Sequence, residues 1–159
     1  MKTHLNFDGF IQIGIVVKDI EKAVKTWCDL FNIPVPEIKI QEPGPNRNIV
    51  SYRGKPASYG RKIAGIKVPS RGFIIELLEP IGGESSFQEF MDKHGQGVHH
   101  LGFAAGDKKD TIIGELEEIG CAIRTVGVSS NINSDNSWAF MDTEDVLGVN
   151  LNIKNRGGA

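Results

Sequence analysis

Four polar side chains interrupt mostly apolar runs: Gln12 in the run 10–17, Glu76 in 73–78, His100 in 98–103 and Asn152 in 149–153. One imidazole, one carboxylate and two amide oxygens are donor types that can hold a divalent ion such as Zn²⁺, Ni²⁺, Co²⁺, Mn²⁺ or Mg²⁺. A carboxylate in such a set can also take a proton from carbon next to a carbonyl. The same four can equally form a buried hydrogen-bond network without an ion. A buried polar group left unpartnered costs about 1–3 kcal/mol, so either reading requires the four to meet.

A repeat in the chain explains how they meet. Gly9, Gly14 and Asp19 recur as Gly97, Gly102 and Asp107, and the run 72–77 parallels 148–153. Gln12 then corresponds to His100, and Glu76 to Asn152. Each unit opens with an apolar strand, with Asp19 or Asp107 placed to cap the helix that follows. Ile20, Val24, Trp27 and Phe31 share one face of the first helix; Ile112, Leu116 and Ile119 share one face of the second. Shorter β-like runs follow at 37–41, 62–68 and 73–78, then at 122–128, 138–141 and 149–153. The expectation is an α+β chain of two tandem βαβββ modules, spanning about 9–82 and 97–154 within one domain, 9–154. Ser86 and Glu89 have capping-box spacing, so a linker helix is expected over about 86–94, ending at Gly95. Alternation sets Gln12 opposite Ile11 and Ile13, and turns His99 away from His100 as a hydrogen-bonded residue of the other face.

Composition narrows the function classes. A net charge of −2 argues against a nucleic-acid partner. No apolar run approaches the ~18–20 residues of a membrane span and no leader-like segment opens the chain, so a cytoplasmic location is expected. Cys28 and Cys121 lack metal or redox spacing and read as reduced, buried residues.

The module pattern over about 9–154 resembles the vicinal oxygen chelate superfamily, which includes glyoxalase I and methylmalonyl-CoA epimerase. The stretch Glu76-Leu77-Leu78-Glu79-Pro80-Ile81-Gly82, with Ser86, Phe90 and 97–103, is most similar to the epimerases. The resemblance implies a cupped mixed sheet, a divalent metal held by Gln12, Glu76, His100 and Asn152, and a homodimer. It implies an isomerase or lyase acting on a proton beside a carbonyl, with Glu76 as ligand or base. Family catalysts carry Glu where this chain has Asn152, and residues 43–75 contain no Asp or Glu, so the epimerase base is not matched. Glu42 is a substitute candidate.

That basic segment carries Arg47, Arg53, Lys55, Arg61, Lys62, Lys67 and Arg71. It reads either as a solvated loop or as a site for a small anionic substrate such as an acyl-CoA. Arg53, Arg61, Tyr59 and Trp138 are the substrate-binding candidates, although Trp138 also suits a core position. The alternative to an enzyme is a non-catalytic small-anion or acyl-CoA binding protein on the same fold, with a degenerate metal site. Glyoxalase I activity is disfavoured by the missing fourth carboxylate.

Overall fold

The computed structural model describes residues 1–44, 48–129 and 136–155, without the side chains of 48, 49 and 129. The basic Arg47 and the Asn-rich loop at 131–135 lie outside the described residues. After a 3-10 turn at Phe7–Gly9 come β1 (Phe10–Val16), α1 (Ile20–Phe31), β2 (Lys39–Gln41), β3 (Asn48–Tyr52), β4 (Lys55–Pro56), β5 (Gly60–Val68) and β6 (Phe73–Gly82). The second half runs through α2 (Ser86–His94), β7 (Gly97–Ala104), α3 (Lys109–Glu118), β8 (Ile123–Ser129), β9 (Ser137–Met141), α4 (Glu144–Leu147) and β10 (Asn150–Lys154).

The ten strands form one curled mixed sheet in the order β2-β5-β6-β1-β7-β10-β9-β8-β3-β4. Each module repeats one topology: its opening strand pairs in parallel with its closing strand, β1 with β6 and β7 with β10. The modules join where β1 and β7 pair antiparallel. An antiparallel seam between equivalent strands relates the halves by an approximate twofold, so equivalent positions face each other across it.

Between β2 and β5, where the sequence suggested no strand, β3 and β4 form a hairpin. β3 crosses to pair with β8 of the second module, Val50 opposite Gly127 and Tyr52 opposite Thr125. The β-branched Ile49 and Val50 suit a strand, but the partner edge lies about 75 residues away in sequence.

α1 and α3 cover one face of the sheet, while Phe87 and Phe90 of α2 pack on the other with Val16, Leu78 and Phe140. Ile20, Val24 and Cys28 of α1 pack on Ala64, Ile66 and Leu77, and Ile112, Ile113 and Leu116 of α3 pack on Met141, Leu151 and Ile153. Trp27 is half-buried, whereas Phe31, stacked on it, and Ile119, past the end of α3, are largely exposed. Asp19 caps α1, accepting from the Lys22 backbone N–H at 2.9 Å, and Asn32 ends the helix in the left-handed region at φ 50°. Asp107 does not cap α3, because a 3-10 turn at Gly106–Lys108 intervenes and the helix starts at Lys109 without a side-chain cap. The cap of α2 is Ser85 rather than Ser86, accepting from Gln88 N–H at 3.1 Å. Glu89 forms no capping box; it bonds Tyr52 and Arg53 instead. Cys28 and Cys121 are free and buried. No helix among the described residues is long and apolar enough to cross a membrane.

Candidate functional site

The four polar residues lie on the face opposite α1 and α3. Cross-strand register explains their convergence. Gln12 is opposite Gly102, whose other neighbour is Asn152; Gly14 lies between Glu76 and His100. The two glycines are the repeat-equivalent pair, and each clears space for a site residue of the other module. A Cβ on Gly14 would stand 2.0 Å from His100 Cε1, and one on Gly102 would stand 2.8 Å from Gln12 Cβ. Side chains at either position would evict the residues that face each other across the seam. Glu76 is flanked by Gly14 and Gly65, so neither neighbour crowds its carboxylate.

Gln12, His100 and Asn152 are almost wholly buried, at 1, 0 and 2% exposure. Yet Gln12 Nε2, His100 Nε2 and Asn152 Oδ1 are each buried without a hydrogen-bond partner. Buried polar atoms in folded proteins are normally satisfied, so three orphans on one seam leave hydrogen-bonding capacity there that a ligand or a buried water could take up. This differs from a closed hydrogen-bond network, which would satisfy them.

His99 overturns the expected alternation. Val98 pairs with Ile15 and His100 with Gly14, leaving His99 as an extra residue opposite the β1 seam. Such a bulge brings successive side chains toward the same side. His99 Nδ1 lies 2.8 Å from His100 Nδ1, and His99 Nε2 lies 3.2 Å from the Ser86 carbonyl. That carbonyl only accepts, so His99 carries its proton on Nε2. Its bare Nδ1 then accepts from His100 Nδ1–H, which leaves His100 Nε2 as a free lone pair facing the site. Burial, reinforced by the Arg124 charge, holds His99 at about 3. Burial also lowers His100 well below its usual range, with His99, Lys154 and Arg61 adding to the effect. Both imidazoles are therefore neutral near pH 7. The 3.8 Å separation of His100 Nε2 and Glu76 Oε2 is neither an ion pair nor a hydrogen bond.

A fifth residue joins the four. Lys154, two places after Asn152 on β10, shares its face and donates from Nζ to Gln12 Oε1 at 2.5 Å. Burial lowers the Lys154 ammonium, the Glu76 carboxylate pulls it back up and Arg61 pushes it down. Because Lys154 meets the oxygen of the Gln12 amide, the amide nitrogen is turned to the unpartnered side. The apolar run ends at residue 153, but the alternation 150, 152, 154 carries the same face one step further, to Lys154.

The substrate-binding candidates divide. Arg61 belongs with the site: its charge acts on His100, Lys154 and Tyr59. Its Nε donates to Gln41 at 3.1 Å and its guanidinium lies 5.6 Å from the Phe87 ring centre. Tyr59 is buried edge-on against Phe87. Burial raises its phenol, Arg61 lowers it and Glu76 raises it. Trp138 is half-buried, sets its ring over Gly127, packs on the core and neighbours Lys154 in the sheet. Arg53 is not brought to the four. It bonds Glu89 and approaches Asp142, where Arg124 is also paired. Lys62 is engaged by Glu21 and Glu79, while Lys55, Lys67 and Arg71 are exposed, as is Glu42. Among the described basic residues of 43–75, Arg61 is thus the one whose charge acts on the site.

This donor set does not fit a resident divalent ion as it stands. Among the described residues no three His, Cys, Asp or Glu side chains cluster, because two of the four converging residues are amides. One of those amide oxygens is already held by an ammonium. A divalent ion about 4 Å from that ammonium would be repelled by about 8 kcal/mol at an effective dielectric constant of about 20.

A family model for the Glyoxalase/Bleomycin resistance protein/Dioxygenase superfamily matches residues 11–140. Solved structures of similar fold include a methylmalonyl-CoA epimerase from Mycobacterium tuberculosis, at TM-score 0.60 and 19% identity, covering 97% of this chain and 91% of that one. A hypothetical protein from Bacillus halodurans C-125 matches at TM-score 0.59 and 21% identity, covering 94% and 95%. A Streptomyces coelicolor methylmalonyl-CoA epimerase variant in complex with 2-nitronate-propionyl-CoA matches at TM-score 0.56 and 18% identity, covering 95% and 94%. No curated protein matches the chain.

Proposed function

The chain belongs to the glyoxalase/bleomycin resistance/dioxygenase superfamily, and from that premise we propose that its seam site moves a proton beside the carbonyl of a small anionic substrate, as an isomerase or lyase. The observation that supports this reading is that three orphaned buried atoms, on Gln12, His100 and Asn152, lie on strands paired at the seam, with Glu76 Oε2 3.8 Å from His100 Nε2. Glu76 is the base. It takes the proton from carbon, and the electron pair shifts onto the carbonyl oxygen. Lys154 Nζ and the free Gln12 N–H supply hydrogen bonds where that negative charge develops. Return of a proton from Glu76 to the same carbon, or for a hemithioacetal to the neighbouring carbon, completes the exchange or shift. His100 Nε2 and Asn152 Oδ1 are acceptors for substrate hydroxyl or amide groups. Arg61 and Lys154 outweigh Glu76 by one positive charge, which favours an anion.

The epimerases among the structural neighbours make 2-substituted acyl thioesters the first compounds to try, followed by hemithioacetals. Incubation in D₂O tests the reaction: deuterium enters the carbon beside the carbonyl with the wild-type chain and not with Glu76→Gln. No incorporation from any of these compounds refutes the enzyme reading.

The neutral Asn152 supports a second reading, a binding protein for the same class of anion. In that case Glu76→Gln leaves affinity intact, Arg61→Ala weakens it, and no exchange occurs. Either reading includes a homodimer, which sedimentation analysis tests.

A further inference from the structure

Resting on that reading of the site, we propose that Lys154 is its resident cation, standing in for a divalent ion so that a substrate carboxylate or carbonyl oxygen binds without metal. The position of the side chain carries the argument. Lys154 is aimed along the inner face and seated on Gln12 Oε1 at 2.5 Å, an oxygen that an ion would need as a ligand. Glu76 acts on the ammonium as a favourable counter-charge.

The repeat shows that this lysine is particular to one half. Applying the closing-strand offset, Asn152 corresponds to Glu76, and Lys154 corresponds to Leu78, which is wholly buried in core. The pair Glu76/Leu78 carries one negative charge and the pair Asn152/Lys154 one positive charge. At these two positions module two is thus more positive than its counterpart by two charges, the amount a divalent ion brings. The orphaned His100 Nε2 and Asn152 Oδ1 remain as acceptors beside it. Lys154 combines a flexible stem with three donors, so it can leave Gln12 for an entering oxygen and keep one hydrogen bond to the protein.

The test uses the tag-free chain dialysed against EDTA, with Ni²⁺ alone and malonate alone as calorimetric probes. The wild type is expected to take up no stoichiometric Ni²⁺ and to bind malonate in EDTA. Lys154→Met is expected to bind one Ni²⁺ per chain at least ten-fold more tightly than the wild type, lose that ion when His100→Ala is added, and bind malonate at least ten-fold more weakly. If Lys154→Met does not fold, Lys154→Gln takes its place. Stoichiometric, His100-dependent Ni²⁺ binding by the wild type overturns the proposal. So does a Lys154 variant that gains no ion or keeps malonate affinity within two-fold, and so does a wild type that binds no malonate without metal. Deuterium exchange is scored separately: its failure refutes the reaction, while the ion and malonate titrations still decide the role of Lys154.

Discussion

Replacing Gly14 with Ala tests the packing that brings the two modules' side chains together. The new Cβ would lie 2.0, 2.4 and 2.5 Å from His100 Cε1, Nδ1 and Nε2. Ordinary carbon contact is about 3.5–4.0 Å, so the ring must retreat by about 1.5 Å. Retreat is blocked by the Phe140 ring, centred 4.7 Å away, and breaks the 2.8 Å bond to His99. Overpacking costs about 1–3 kcal/mol. Orphaning the imidazole pair costs about 1–3 kcal/mol more. Gly14 has no positive φ, so alanine fits its backbone and returns about 0.4–1 kcal/mol through the unfolded state. The expected net loss is about 2–5 kcal/mol, read from urea unfolding midpoints. Gly114→Ala in α3 is the control: its Cβ meets nothing within 4 Å, and stability should rise by up to about 1 kcal/mol. Combining Gly14→Ala with His100→Ala should recover most of the overpacking cost, a coupling visible in the double-mutant cycle. A Gly14→Ala chain within about 0.5 kcal/mol of wild type would show that His100 does not rest over β1, and the site geometry would be wrong.

Stability should fall on acidification below about pH 6.5. His99 is held neutral to about 3 in the fold but binds a proton near 6.5 when unfolded. The unfolded chain therefore carries the extra proton between those values, and each pH unit in that window costs up to about 1.4 kcal/mol from this residue. Urea unfolding at pH 7 and pH 5 measures the slope, and His99→Gln should reduce it, leaving the share of His100, which burial also holds low. Phe87→Ala removes a wholly buried ring that touches Tyr59, His99 and Phe140. It should cost about 3–5 kcal/mol by urea unfolding. Cys28 and Cys121 should resist a thiol reagent in the native state and react in denaturant, because both are buried. Immediate labelling of either in the native chain would contradict its burial.

Much of the fold was legible because it is written in local periodicity. Alternating apolar runs marked the opening and closing strands, and Asp19 and Gly95 marked helix ends through backbone capping. The repeat was legible too, and with it the pairing of Gln12 with His100 and Glu76 with Asn152. The equivalence of Gly14 and Gly102 was visible as spacing, but its purpose was not. Only the antiparallel β1–β7 register shows that each glycine lies under the other module's side chain.

What tertiary structure alone decided depends on long-range register. The β3 strand finds its partner in β8, across most of the chain, so no local pattern names it. The bulge at His99 reverses the direction that strict alternation assigns, because an extra residue is set by the mismatch between two strands. Arg53 and Arg61 looked alike as members of one basic segment, but Glu89 on α2 claims the first while β5 points the second toward the seam. Lys154 was readable as a strand residue, but its meaning lies in an oxygen 142 positions away. Residue types and spacing determined which groups were available; chain pairing determined which of them share one volume, because charge and hydrogen bonding act over a few ångströms of space and take no account of sequence distance.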